Sequence, residues 1–161
     1  MPRIIRTEMQ MPDISIRIVS AGDRKPVRKA LRTFHTLETM AVNIYKFQIA
    51  RKHPELRERL IAAMANEMTH VQDFQIKLYE CGFKPSIRRI AFWVVGWFFG
   101  TFSRLLGRSM VLKTGIWVET KAVAHYGKLL ASVPWDAGTR KIIEKDLEDE
   151  KDHIRMWESL R

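Results

Sequence analysis

Along most of the chain apolar residues recur three and four positions apart, the spacing that gathers them on one face of an α-helix. Glycine and proline interrupt the pattern at a few places and divide it into five predicted helices. The first begins after Lys25-Pro26, a proline suited to a first helical turn, and runs to about Arg51, ahead of His53-Pro54. The second covers about 54–81 and stops at Gly82, a residue that closes helix ends in the left-handed conformation. The third spans roughly 86–106 with Gly107 as its terminator, the fourth about 109–131, and the fifth about 136–159, after the turn Ser132-Val133-Pro134-Trp135-Asp136. Gly96, Gly100, Gly115 and Gly127 fall inside helices instead of ending them. Four of the helices, at roughly 35–40 Å for a 1.5 Å rise per residue, suit an all-α four-helix bundle. Residues 1–22 read as a flexible N-terminal segment and 23–161 as one domain.

The apolar stripes contain carboxylates. Glu38 lies on the stripe of Leu31, Phe34, Val42, Tyr45 and Ile49, and Glu119 on that of Leu112, Ile116, Val123, Tyr126 and Leu130. A buried, uncompensated carboxylate is strongly unfavourable, so something must offset both. Glu67 with His70 and Glu150 with His153 are i, i+3 pairs, each projecting a carboxylate and an imidazole from one helix face. The four features form an internal repeat. Glu38 precedes Tyr45 by seven positions, as Glu119 precedes Tyr126, and a Glu-x-x-His pair follows in each half; equivalents stand 81 to 83 residues apart. Two helical hairpins related by a pseudo-twofold axis, with the third helix as crossover, would carry this set.

In a chain with 29% charged residues a single Glu-x-x-His is ordinarily a solvated helix face. Two such pairs, each preceded by a core-facing Glu-x6-Tyr, predict instead that Glu38, Glu67, His70, Glu119, Glu150 and His153 ligate two metal ions. This ligand set resembles that of ferritin-like di-iron and di-manganese bundles. Carboxylates with one imidazole per metal suit iron, the better match for O2 chemistry, or manganese. His35 and His125 are candidates for supporting or proton-handling roles, with a structural histidine as the alternative. Tyr45 and Tyr126 either line a cavity or fill the core. Asp73 and Asp146, one or two turns from a ligand, read as surface residues, with orientation of the imidazoles as the alternative, and His53 reads as a helix-entry residue.

Charge and cysteine content narrow the setting. The formal charge of +10 points to a polyanionic partner, but lysine and arginine are spread over all segments and no nucleic-acid module is present. Cys81 is the single cysteine, which excludes an intrachain disulfide and a rubredoxin-type iron site, and fits a reducing compartment. Residues 1–23 mix arginines and acids without an apolar h-region, so a cytosol-facing protein is expected. Ile90 to Phe102 is thirteen residues without a charge, with Arg88 and Arg89 before it and Arg104, Arg108 and Lys113 after. That is short of the ~20 apolar residues a span needs, and its aromatic content and basic flanks suit a helix lying in the membrane interface. The alternatives are a crossover helix buried on the bundle, or a subunit interface using Gly96-x-x-x-Gly100.

Taken together, His35-Thr36-Leu37-Glu38 leading to Ile44-Tyr45, Glu67-Met68-Thr69-His70, Val118-Glu119 leading to His125-Tyr126, and Glu150-Lys151-Asp152-His153 resemble the demethoxyubiquinone hydroxylases, di-iron monooxygenases of ubiquinone biosynthesis. The likeness spans about residues 30–157. It departs from the family pattern at Thr36-Leu37, where small residues are common, and at Thr120, where a second acid often stands. The resemblance implies a ferritin-like fold, two iron ions, and ring hydroxylation of a lipid quinone precursor using O2, with Tyr126 and His125 near the substrate. It also implies peripheral attachment, through about residues 88–108, to the cytoplasmic face of a bacterial inner membrane or the matrix side of a mitochondrial one. A homodimer and a lipid-presenting accessory protein are further partners that it leaves open. The competing class is a ferritin- or rubrerythrin-like protein that oxidises iron or handles peroxide with no organic substrate.

Overall fold

The structure, a computed structural model, describes residues 14–161. Five helices follow in order: α1 (Arg24–Gln48), α2 (Pro54–Glu80), α3 (Arg89–Leu105), α4 (Arg108–Ser132) and α5 (Ala137–Ser159). No strand occurs among the described residues. Local chemistry sets most boundaries. Pro54 occupies the first turn of α2, and Gly82 closes that helix with a φ of +67°. Asp136 caps α5 by accepting a hydrogen bond from the Thr139 amide at 2.9 Å. α1 ends three residues short of the expected Arg51 because Ile49 turns extended, with a ψ of 123°. Residues 86–88 form a turn instead of the expected start of α3, with the Ser86 hydroxyl accepting from the Arg88 amide.

Neighbouring helices run α1, α2, α5, α4 around a closed ring, so two hairpins joined by short loops make the four-helix bundle. α3 lies outside the ring, along α1 and against α4. The core falls into two apolar clusters. One is centred on Leu31, Phe34, Phe74, Leu78, Tyr126 and Ile143, the other on Ile44, Tyr45, Leu60, Leu112 and Trp157. Glu38, Glu67, His70, Glu119, Glu150 and His153, all buried, lie along the helices between the two clusters.

The mid-helix glycines have packing causes. A Cβ at Gly96 would sit 2.5 Å from the Met40 carbonyl oxygen, and one at Gly100 would sit 2.5 Å from that of Ile44, so Gly96-x-x-x-Gly100 serves close approach of α3 to α1 within the chain. Gly115 makes room for the Trp157 indole, 3.0 Å from where its Cβ would be. Nothing in the structure explains Gly127. Gly100→Val is therefore expected to cost about 1–3 kcal/mol, the usual penalty of overpacking, despite a better intrinsic helix propensity. Urea denaturation monitored by circular dichroism checks this, and an unchanged midpoint would show that α3 is not seated tightly on α1.

The expected flexible segment falls partly on residues 1–13, outside the described residues. Residues 14–20 run beside the end of α2. There the Arg17 amide donates to the Glu80 carbonyl at 2.9 Å and the Arg17 guanidinium pairs with Asp136. Glu80 is buried and also accepts from the Ser15 amide and the Lys77 ammonium, at 3.0 and 2.6 Å.

Candidate metal centre

Each helix of the ring contributes to one buried polar layer: Glu38 from α1, Glu67 and His70 from α2, Glu119 from α4, Glu150 and His153 from α5. These are the six residues singled out by spacing, and the fold brings all of them together. They form two overlapping quartets. Glu38, Glu67, His70 and Glu150 offer ligand atoms within 4.8 Å of one another, and so do Glu67, Glu119, Glu150 and His153. Glu67 and Glu150 belong to both. One oxygen of Glu67 lies 3.5 Å from His70 Nδ1 and the other 3.0 Å from His153 Nδ1. Glu150 spans the same two nitrogens at 3.2 and 3.7 Å. Glu38 reaches only the His70 side, at 3.9 Å, and Glu119 only the His153 side, at 3.5 Å. Were two ions bound, Glu67 and Glu150 could each reach both, and Glu38 and Glu119 one each.

The donor atoms fit metal ions on a second count. Both oxygens of Glu67 and of Glu150, Glu119 Oε2, and the Nδ1 atoms of His70 and His153 are buried without a hydrogen-bond partner among the described residues. Buried polar atoms are rarely left so, and seven converging on one layer, all of them carboxylate or imidazole, match a hard divalent cation pair. Among the side chains alone, electrostatics work against ionising every carboxyl. Burial, then the Glu150 and Glu67 charges, hold Glu38 well above the usual carboxylate range; burial and Glu150 do the same to Glu119. Burial also opposes charge on His70 and His153, but the surrounding glutamates outweigh it and push both imidazoles up to about 12. Glu67, though buried, falls below its ordinary value because both imidazoles face it.

Supporting groups cross between hairpins. The Tyr126 hydroxyl on α4 donates to Glu38 Oε1 on α1 at 2.7 Å, and the Tyr45 hydroxyl on α1 donates to Glu119 on α4. Trp157 Nε1 in turn donates to the Tyr45 oxygen at 3.2 Å. The tyrosines of the repeat therefore hold the outer glutamates of the opposite half. His70 turns Nε2 toward α5, where Asp149 Oδ2 lies at 3.1 Å and Asp146 Oδ1 at 3.7 Å. Asp146 is fully buried rather than on the surface as its polarity suggested; burial raises it to about 6, against the pull of His70 and Lys145. Asp149 was not foreseen. The one sequence signal for it is that Asp precedes Glu150 where Asn66 precedes Glu67. Asp73 is partly exposed beside Lys145, and His53 is an exposed residue with a φ of +58° ahead of α2. His35 is buried against Gln75, 3.4 Å away, and joins neither quartet.

His125 and Tyr126 both line a cavity of about 250 Å³ between α1 and α4, which is bounded by Glu38 and Glu119 on one side and walled by Leu37, Met40, Ala41, Trp117 and Ala122. His125 Nε2 is buried there without a partner, and desolvation, with Lys128 nearby, lowers its affinity for protons. Trp117 stacks on Phe99 of α3 with ring centroids 6.0 Å apart, so the cavity lies next to the apolar outer helix. Of the departures in sequence, Leu37 stands in the cavity wall, Thr36 is buried and Thr120 is exposed. A separate cavity of about 290 Å³ beside Arg17, Cys81 and Trp135 includes none of the six.

The chain is 26% identical over 153 residues to a 3-demethoxyubiquinol 3-hydroxylase of Legionella pneumophila, covering 94% of this chain and 72% of that protein. It is 33% identical over 130 residues to the Xylella fastidiosa protein of the same name, with 78% of this chain and 59% of that one covered. For the Pseudomonas aeruginosa protein of that name the identity is 26% over 137 residues, covering 84% and 64%. The family model described as ubiquinone biosynthesis protein COQ7 matches residues 25–158, a stretch that contains all five helices except the first residue of α1 and the last of α5, and the chain belongs to that family.

Proposed function

We propose that this chain hydroxylates the ring of a demethoxyubiquinol-like lipid in ubiquinone biosynthesis, with O2 as oxidant and two iron ions held by Glu38, Glu67, His70, Glu119, Glu150 and His153. The observation that carries the reading is the meeting of the two overlapping quartets with an apolar cavity that opens beside α3. When bound, a pair of redox-active ions supplies the activation of O2 that no amino-acid side chain provides. The chain's own groups do the rest. Tyr126 and Tyr45 orient the outer glutamates, and the cavity wall from Leu37 to Ala122 excludes water around an aromatic ring. His125, whose surroundings lower its affinity for protons and leave Nε2 without a partner, would accept a hydrogen bond from a ring hydroxyl there.

α3 supports peripheral membrane attachment. Its buried positions are Gly96, Gly100 and Ser103, while Trp93, Val94, Trp97, Phe98 and Phe102 are all at least 41% exposed and Arg88, Arg89, Arg104 and Arg108 flank them. No helix among the described residues is long and apolar enough to cross a membrane. An outward aromatic face with basic ends rests in an interface, and a lipid substrate would pass from there past Trp117 into the cavity. Trp97→Ser and Phe98→Ser together are expected to weaken binding to anionic vesicles by roughly 100-fold or more, since each side chain contributes about 1.5–3 kcal/mol and 1.4 kcal/mol is tenfold. Vesicle co-sedimentation measures this, and unchanged sedimentation would remove α3 from the membrane contact.

The test of the activity is anaerobic ferrous loading, addition of a short-chain demethoxyubiquinol, then isotopically heavy O2 with mass analysis of the product. One heavy oxygen on the ring is the expected result. Bound iron that consumes O2 and leaves the quinol unchanged would instead establish the iron- or peroxide-handling class.

A further inference from the structure

The two halves of the centre match residue by residue in their ligands but not in what stands behind the imidazoles. Glu67 and His70 correspond to Glu150 and His153 at a constant offset of 83 positions. At the same offset Asp146 corresponds to Ala63, and Asp149 to Asn66. His70 on α2 therefore meets two carboxylates of α5, Asp149 at 3.1 Å and Asp146 at 3.7 Å from Nε2. His153 on α5 faces the uncharged equivalents on α2. Its carboxylate contacts all run through Nδ1, while the Asn66 amide has its Nδ2 3.4 Å from Asp149 Oδ2 and its Oδ1 buried without a partner. Where the missing carboxylates would stand there is a cleft of about 260 Å³, lined by Ala62, Ala63, Asn66, Asp149, Asp152 and Met156, and it reaches His153. The His70 side chain is wholly buried, whereas that of His153 is 9% exposed. Lys145 lies 3.2 Å from Asp146 and 3.5 Å from Asp149, so part of their charge is shared; the hydrogen bond that Asp149 Oδ2 accepts from the imidazole remains.

We propose that the two ion positions are unequal: the position of His70 with Glu38 binds first and tightly, and that of His153 with Glu119 binds second and exchanges through the α2/α5 cleft. The proposal rests on the reading of the six residues as a two-metal centre. Its physical basis is that a carboxylate accepting the outer N–H of a ligating imidazole fixes the ring and makes its inner nitrogen a stronger donor, an effect worth about 10–100-fold in metal affinity. Only one imidazole has that support. The other side is also the one from which water and chelators can reach a ligand. Asp149 is thus a positioning residue that acts through His70.

The experiment is an anaerobic titration of the full chain with Mn2+ by calorimetry, paired with crystals grown at one equivalent and located by anomalous scattering. Two steps separated by about 10–100-fold are expected, with the first ion among Glu38, Glu67, His70 and Glu150. The charge-conserving exchange Asn66→Asp with Asp149→Asn is expected to narrow or reverse the order, which a merely structural role for Asp149 would not do. Circular dichroism establishes that the exchanged protein folds, and the unmodified chain decides the matter by itself. Two ions bound with equal affinity, or a first ion found with Glu119 and His153, would overturn the inequality and leave the two-metal reading standing. Uptake of no ion would overturn both.

Discussion

Glu67→Gln and Glu150→Gln are each expected to abolish tight uptake of both metal ions, whereas Glu38→Gln and Glu119→Gln leave one. The difference follows from membership: Glu67 and Glu150 belong to both quartets, the outer glutamates to one each. Glutamine keeps the shape and removes the charge, so each bridging variant loses a ligand at both positions. Ring hydroxylation should fall by roughly 10³-fold or more, because the ions' several kcal/mol of stabilisation is lost and about 1.4 kcal/mol is a factor of ten. In the metal-free chain Glu67→Gln is also expected to lower stability, by about 3–5 kcal/mol, because it removes the carboxylate that faces both protonated imidazoles. Metal content after desalting, read beside the melting temperature, checks the prediction. A Glu67→Gln protein that retains two ions would show that the bridges are not bridges.

Metal loading should raise the melting temperature by roughly 8–16 °C at free metal near 1,000 times the dissociation constant, since that gives about 4.1 kcal/mol and each kcal/mol moves a chain of this size by about 2–4 °C. The increment should grow with pH. His70 and His153 are raised from 6.5 to about 12, and burial with neighbouring charge raises Glu38 and Glu119, so these groups hold protons that a metal must displace. A group raised in the fold stabilises the metal-free chain fully below its unfolded value and loses that contribution as pH rises through the folded one. For the two imidazoles the metal-free chain therefore weakens upward from about pH 6.5, while the loaded chain, holding no such protons, does not. Differential scanning fluorimetry of chelated and loaded protein from pH 6 to 9 measures the gap. A gap that shrinks with pH would mean that the ions do not compete with protons at these residues.

The linear order of residues determined the helices, the hairpin repeat and the six glutamates and histidines that the fold gathers in one buried layer. These are local properties. A 3.6-residue period states which face of a helix is apolar, and a glutamate or an i, i+3 Glu-His pair on such a face must be compensated whatever packs against it. Periodicity does not state which neighbour a face meets, and everything that depended on that came from the packing of the ring. Only the packing assigned Glu67 and Glu150 to both quartets, sent Tyr45 to Glu119 and Tyr126 to Glu38 across the hairpins, and turned Gly96 and Gly100 toward α1. It also buried Asp146 and carried Asp149, next in the chain to a ligand yet a third of a turn round the helix, to the outer nitrogen of His70. Carboxylates look alike in sequence whether they bridge, terminate or support. Their roles differ only by the few ångströms that separate the helices carrying them.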